Sequence, residues 1–220
     1  MTRIREYIAA VVTVIVAVFI VLCLAVIATA AEPCFGTVCR STCRVYVELE
    51  NGKKAWGTGV VVRSDLVVTN HHVVKGRREK GNQVIEIVFP DAAREHSTVI
   101  KEDTVWDLAA IRLNKLSRVP LRITKTIPKC GERLHTGGYG GDANRWRNFS
   151  GELLGYSWPK NELRAGWIRI GGNARFGDSG GPVVNDAGEL VGILWGTHEV
   201  FPESTAVATS VLSEFVEGVE

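Results

Sequence analysis

Apolar and polar positions alternate in short runs along most of the chain, and these runs recur at strand-like spacing. They are Val45–Leu49, Gly59–Val62, Leu66–Thr69, Val84–Phe89, Leu108–Leu113, Glu152–Tyr156, Trp167–Ile170, Pro182–Asn185 and Leu190–Trp195. Val84–Phe89 is dense in β-branched residues, which suit a half-buried pleated surface. Asn51-Gly52 follows the first run and is a two-residue hairpin signal. Asp186-Ala187-Gly188 turns the chain between two later runs. Only the end has helical spacing: Val207, Val211, Leu212, Phe215, Val216 and Val219 recur every three to four residues, with Thr209 or Ser210 as N-cap. No solenoid repeat is present, and no Pro- or Ser-rich linker follows residue 45. The pattern predicts an all-β fold closed by a short helix.

The first segment follows a different rule. Arg3 and Arg5 precede 25 uncharged residues, Tyr7–Ala31, nearly all Val, Ile, Ala and Leu. About 20 apolar residues span a bilayer, so the run is long enough for a membrane anchor. Ala28-Thr29-Ala30 is also a small-x-small pattern of the kind at which signal peptides are cleaved, near Ala30. Residues 1–31 therefore read as a single-pass anchor or a signal peptide. Either reading keeps the arginines cytoplasmic and exports the remainder.

The 220 residues carry Lys+Arg 26 against Asp+Glu 24, a net charge of +2, with 45% hydrophobic and 23% charged residues. That balance describes a globular chain and lacks the basic footprint of a nucleic-acid binder, so no nucleic-acid partner is expected. All 23 glycines lie after residue 31, in keeping with many short strands and tight turns. Cys23 falls in the apolar segment, leaving Cys34, Cys39, Cys43 and Cys130 on the exported side. Four exported cysteines suit two disulfides, with Cys130 tying the Cys-rich 32–44 tail to the body. A four-cysteine zinc site is the rival reading, and the spacings fit it poorly.

Three local sequences carry chemistry. Leu66-Val67-Val68-Thr69-Asn70-His71-His72-Val73-Val74 runs a strand into a His pair. Trp106-Asp107-Leu108-Ala109-Ala110-Ile111-Arg112 opens a strand with an acid. Gly177-Asp178-Ser179-Gly180-Gly181-Pro182-Val183 sets a serine among small residues. Acyl transfer through a serine needs a base for the hydroxyl proton, an acid to orient that base, and backbone donors for the oxyanion. The nucleophile elbow of α/β-hydrolases also reads Gly-x-Ser-x-Gly, but there the order is Ser, acid, His. In this chain His72 and Asp107 both precede Ser179, and a strand-like run follows it. A His-His pair without a further ligand at helical spacing does not make a metal site, and neither a metal nor an organic cofactor is expected.

With these motifs the chain resembles the trypsin-like (chymotrypsin-fold) serine proteases, most closely their HtrA/Deg-type branch. Thr-Asn-His-His-Val-Val resembles that branch's Thr-Asn-x-His-Val-Val, which makes His72 the base and His71 an outward-facing neighbour. Asp107 matches the family acid, with Asp103 as the fallback, and Ser179 matches the nucleophile of Gly-Asp-Ser-Gly-Gly-Pro. Gly131-Glu132, Gly137–Gly141 and Gly151-Glu152-Leu153-Leu154 resemble the opening of the family's second barrel.

The resemblance covers about residues 55–217 and implies two six-stranded Greek-key β-barrels with the active site in the cleft between them. It places a protease domain over 45–220, with the barrel boundary near 115–130. It implies a serine endopeptidase acting on proteins or peptides. The N–H groups of Gly177 and Ser179 would form the oxyanion hole, and Asn173, Trp195 and Gly196 would line the substrate pocket. Asn173 is uncharged, so a strict Arg or Lys preference is not implied.

Two departures from the family matter. No Arg/Lys-Ile-Val-Gly-Gly junction is present, so Asp178 lacks the amino-terminal partner that activates digestive members. Only 41 residues follow Ser179, so no C-terminal PDZ domain is expected. The missing partner keeps open a latent enzyme, and beside it stands a catalytically silent homologue acting as an extracytoplasmic peptide-binding module. Asn148-Phe149-Ser150 is a glycosylation sequon.

Overall fold

A computed structural model describes residues 36–49, 51–76, 85–115, 117–141, 145–157, 166–198 and 201–219. The expected anchor or signal peptide and Cys34 lie outside these residues. The chain divides into two compact units, Met1–Gly36 and Thr37–Glu220, and both barrels lie in the second.

After a short helix α1 (Gly36–Arg40), six strands form the first barrel: β1 (Thr42–Glu48), β2 (Lys54–Arg63), β3 (Leu66–Asn70), β4 (Ile85–Val88), β5 (Arg94–Asp103) and β6 (Leu108–Arg112). Their order is β1-β2-β3-β6-β5-β4, antiparallel throughout, and β1 pairs with β4 to close it. The second barrel contains β7 (Arg133–Gly138), β8 (Arg147–Ser157), β9 (Trp167–Gly171), β10 (Pro182–Val184), β11 (Leu190–Thr197) and β12 (Glu203–Ala208). It runs β10-β11-β12-β9-β8-β7 and closes through β10 and β7. Closure leaves no unpaired sheet edge, which an open six-stranded sheet would expose. A one-turn helix α2 (His71–Val74) follows β3, and α3 (Thr209–Glu217) ends the fold.

Period-2 alternation fills each barrel with its own core. In the first, Val45, Val47, Val61, Val67, Ile85, Ile87, Phe89 and Ile111 are buried; in the second, Leu134, Leu153, Ile168, Ile170, Val183 and Leu194. Burying each such side chain contributes about 1.5–3 kcal/mol before the entropy of ordering is counted. The connection from β6 to β7 binds both barrels. The Leu121 N–H donates to the Val61 carbonyl, and the Thr124 N–H donates to that of Leu190.

Three expectations are corrected. Val207 belongs to β12, facing Trp167 of β9, not to the helix. The N-cap of α3 is Ala208, which offers no side-chain oxygen, and Thr209 and Ser210 are already helical. Two disulfides do not form, because Cys43 and Cys130 are free thiols. Cys43 is fully buried in the first core, where desolvation pushes its thiol far above the ordinary range, whereas Cys130 is exposed in the turn before β7. The tail is thus not tied to the body through Cys130.

Candidate active site

Asp107 terminates the turn between β5 and β6 in a left-handed conformation, φ +54°, which costs a non-glycine residue on the order of 1–3 kcal/mol. Hydrogen bonds from the end of β3 and the start of α2 hold that conformation. The His71 N–H and the Asn70 Nδ2 both donate to the Asp107 carbonyl at 3.0 Å. The His72 N–H donates to Asp107 Oδ1 at 2.8 Å, and His72 Nδ1 meets Oδ2 at 2.5 Å. The carboxylate therefore grips both the backbone and the ring of His72, which fixes the imidazole's orientation. Asp103 serves a different end, since its Oδ1 accepts the N–H groups of Val105 and Trp106 and shapes the turn. His71 is not outward-facing: only 16% of its side chain is exposed, and its Nδ1 lies 3.2 Å from Glu102 Oε2.

Ser179 stands on the second barrel, in the turn before β10. Its hydroxyl proton is directed to the Trp195 carbonyl at 3.0 Å. Thr58 of β2 joins the nucleophile turn to the first barrel. The Thr58 N–H donates to the Ser179 carbonyl and its Oγ1 to the Gly177 carbonyl, both at 2.8 Å, while Oγ1 accepts the Tyr139 N–H at 3.0 Å. Sequence reading passed over Thr58, because a threonine inside a strand has no distinguishing pattern.

Gly177 has φ +97°, a region side-chain-bearing residues rarely occupy. The preceding carbonyl, of Phe176, accepts the Gly141 N–H at 2.9 Å, which aims the Gly177 N–H to the opposite side of that peptide. Among the described residues, neither the Gly177 nor the Ser179 N–H donates to a protein acceptor.

Asp178 is 4% exposed, and its two oxygens accept the N–H groups of Gly140 at 2.7 Å and Arg175 at 2.8 Å. Burial pushes its carboxyl above the ordinary aspartate range, and the two N–H donors oppose that rise. Asp178 is therefore anchored by the chain's own backbone.

His71, His72, Lys75, Asp107, Trp167, Trp195 and Gly196 line a cleft of ≈ 590 Å³. Trp195 is 41% exposed and packs edge-on against Trp167, which in turn packs against Trp106. Asn173 is exposed, and a Cβ at Gly196 would meet nothing within 4 Å. The buried Ser204 hydroxyl accepts the Ala174 N–H at 2.9 Å and donates to the Gly172 carbonyl at 2.8 Å, bracing the chain on both sides of Asn173. The sequon is built into the sheet: Asn148 faces Gly137 of β7, and Ser150 Oγ lies 2.7 Å from His135 Nδ1.

The sequence matches the family described as "Trypsin-like peptidase domain" over residues 57–193. It is 28% identical over 150 residues to the human protein "Serine protease HTRA4", an alignment covering 62% of this chain and 29% of that relative. It is 30% identical over 144 residues to a "Probable periplasmic serine endoprotease DegP-like" of Buchnera aphidicola, covering 63% and 29%. The chain thus matches under a third of the length of these relatives. The crystal structure of the Rv3671c protease from M. tuberculosis, active form, superposes with a TM-score of 0.75 over 86% of each chain at 21% identity, and so shares the fold. Matched across its barrels by one family and by the same paired-barrel architecture, the chain belongs to the trypsin-like peptidases, with HtrA- and DegP-type serine proteases among its relatives.

Proposed function

We propose that this chain is a serine endopeptidase that cleaves proteins or peptides through an acyl-enzyme. The observation that carries the reading is the doubly hydrogen-bonded Asp107–His72 pair in a cleft also lined by Trp195, whose carbonyl accepts the Ser179 hydroxyl. His72 takes the Ser179 proton as the hydroxyl attacks the scissile carbonyl, and Asp107 holds the tautomer and stabilises the imidazolium. For this the hydroxyl gives up the Trp195 carbonyl, which accepts it at 3.0 Å at rest. The Gly177 and Ser179 N–H groups receive the developing oxyanion, where one donor typically contributes a factor of about 10²–10³ in rate. His72 then protonates the leaving amine, and water releases the acyl group. Asn173, Trp195 and Gly196 receive the acyl-side chain of the substrate in this reading.

The latent alternative rests on Asp178 lacking an amino-terminal partner, and the Gly140 and Arg175 N–H groups donate to its carboxylate instead.

Residues 1–31 serve as a membrane anchor or cleaved leader in this reading, and the protease domain at 45–220 works on the outer side of the membrane. The uncharged Tyr7–Ala31 run after Arg3 and Arg5 supports this, as does the periplasmic designation of the Buchnera relative.

Digestion of unfolded casein by the full-length chain tests the activity. Ser179→Ala and His72→Ala are each expected to lose at least about 10³-fold in rate. Equal cleavage by wild type and Ser179→Ala would refute it.

A further inference from the structure

His71 and His72 are adjacent on α2, and each meets an acid of the same hairpin. His72 is gripped by Asp107, at the end of the turn before β6, whereas His71 Nδ1 lies 3.2 Å from Oε2 of Glu102, near the end of β5. The β5–β6 register brings the two acids to one end of the hairpin by pairing Glu102 with Ala109 and Asp103 with Leu108. His71 therefore touches both limbs: its main-chain N–H donates to the Asp107 carbonyl at 3.0 Å, and its ring meets Glu102. The side chains of this second pair are only 16% and 27% exposed, and His71 Nδ1 itself is shielded from water. A pair so little hydrated is screened less than one on the open surface.

The helix that carries both histidines does not hold its own orientation. It has four residues, far fewer than an isolated helix needs, and its N-cap, Asn70, makes no side-chain cap. Val73 and Val74 bury one side of it in the first core. Successive helical residues project about 100° apart, so contacts on His71 and on His72 restrain rotation about the helix axis from two directions. Asp107, for its part, keeps its left-handed backbone only while its surroundings hold it. Both members of the His72–Asp107 pair thus depend on neighbours, and His71 bears on both.

We propose that His71 is a positioning residue whose pairing with Glu102 holds α2 against the β5–β6 hairpin, keeping His72 and Asp107 aligned for proton transfer. His71 exchanges no proton with the substrate and acts through its neighbours. The inference deepens the endopeptidase reading above and rests on it. Its consequence is that a change confined to His71 or Glu102 lowers the reactivity of Ser179 while His72, Asp107 and Ser179 are all present.

Inactivation of the full-length chain by a fluorophosphonate tests this, because the limiting rate kinact reports attack by Ser179 and KI reports binding of the probe. His71→Leu and Glu102→Gln are each expected to lower kinact about tenfold with KI held within about twofold, since misplaced catalytic groups cost rate rather than binding. The double variant is expected to be no slower than the slower single one, as two partners in one contact require. His71→Asn, whose Nδ2–H is placed like the ring Nδ1–H, is expected to recover kinact to within about threefold of wild type. Wild-type kinact in both single variants, or losses that multiply in the double variant, would overturn the positioning role. His71→Asn as slow as His71→Leu would overturn it too. Should His71→Leu fail to fold by circular dichroism, Glu102→Gln and His71→Asn against wild type carry the same test. A folded wild type that does not react would overturn the endopeptidase reading itself, whereas a reactive wild type matched by its variants would remove His71 alone.

Discussion

The Gly140 N–H donates to the Asp178 carboxylate at 2.7 Å, joining the end of β7 to the residue before the nucleophile. The Arg175 N–H takes the other oxygen, so one buried side chain organises both loops around the Gly177 peptide. Asparagine has only one acceptor oxygen and would set its NH₂ against one of these donors. Asp178→Asn is expected to slow modification of Ser179 by a fluorophosphonate by about tenfold or more, the cost of one lost buried, charge-assisted bond. Retained circular dichroism would separate this effect from unfolding.

The same residue sets a pH dependence with a definite sign. Its folded carboxyl titrates above the ordinary aspartate value, so the folded state holds the proton more tightly than the unfolded state. The stabilising contribution is present below the ordinary value of about 3.9 and is lost as pH rises through the raised one. Wild type is therefore expected to lose Tm relative to Asp178→Asn as pH increases from about 4, because asparagine stays neutral. Thermal melts of both proteins across that range check the direction.

Trp106, adjacent to Asp107, reaches the second barrel at Gly166. A Cβ there would lie 2.0 Å from the Trp106 ring, so only glycine admits the contact. Gly166→Ala is expected to cost about 1–3 kcal/mol in urea denaturation, as overpacking does, and to lower kcat/KM by displacing the turn that carries Asp107. Full stability together with full activity would refute this link.

Helix α3 packs on β11 and β12 but has no basic residue in its last turn. Carbonyls at its C-terminal end and just beyond it are met from the other barrel: Lys101 Nζ donates to the Phe215 carbonyl and Arg63 Nη1 to that of Val219, both at 2.9 Å. Lys101 also lies over the Phe215 ring, 4.8 Å from its centroid. Arg63→Ala and Lys101→Met are expected to lower stability by about 1 kcal/mol each and to leave Ser179 modification unchanged. Chemical denaturation and labelling rates measured on the same samples test both parts.

Much of the fold was legible because barrel strands alternate with period 2 and the three motifs occur in one order. Two of the strands that escaped reading bury side chains that do not look like core. β5 turns Glu95 and Ser97 inward, and Glu95 is useful there because it accepts the N–H groups of Asn114 and Lys115. β12 buries Ser204, Ala206 and Ala208, residues too small or polar to mark a strand, so Val207 was absorbed into the helical pattern. His72, Asp107 and Ser179 are marked by side chains, whereas Asp178's partners are backbone N–H groups that leave no trace in a sequence. Cysteine counting failed at Cys43 for a related reason: a thiol packed among valines is spelled the same as one in a disulfide.

The central claim is that Ser179 is an activated nucleophile in the folded chain. Mass spectrometry after fluorophosphonate treatment of wild type, Ser179→Ala and His72→Ala tests it most directly. The account predicts one adduct, on Ser179, absent in Ser179→Ala and slowed at least about 10³-fold in His72→Ala. A folded wild-type chain that takes no label, or takes it on another residue, would contradict it.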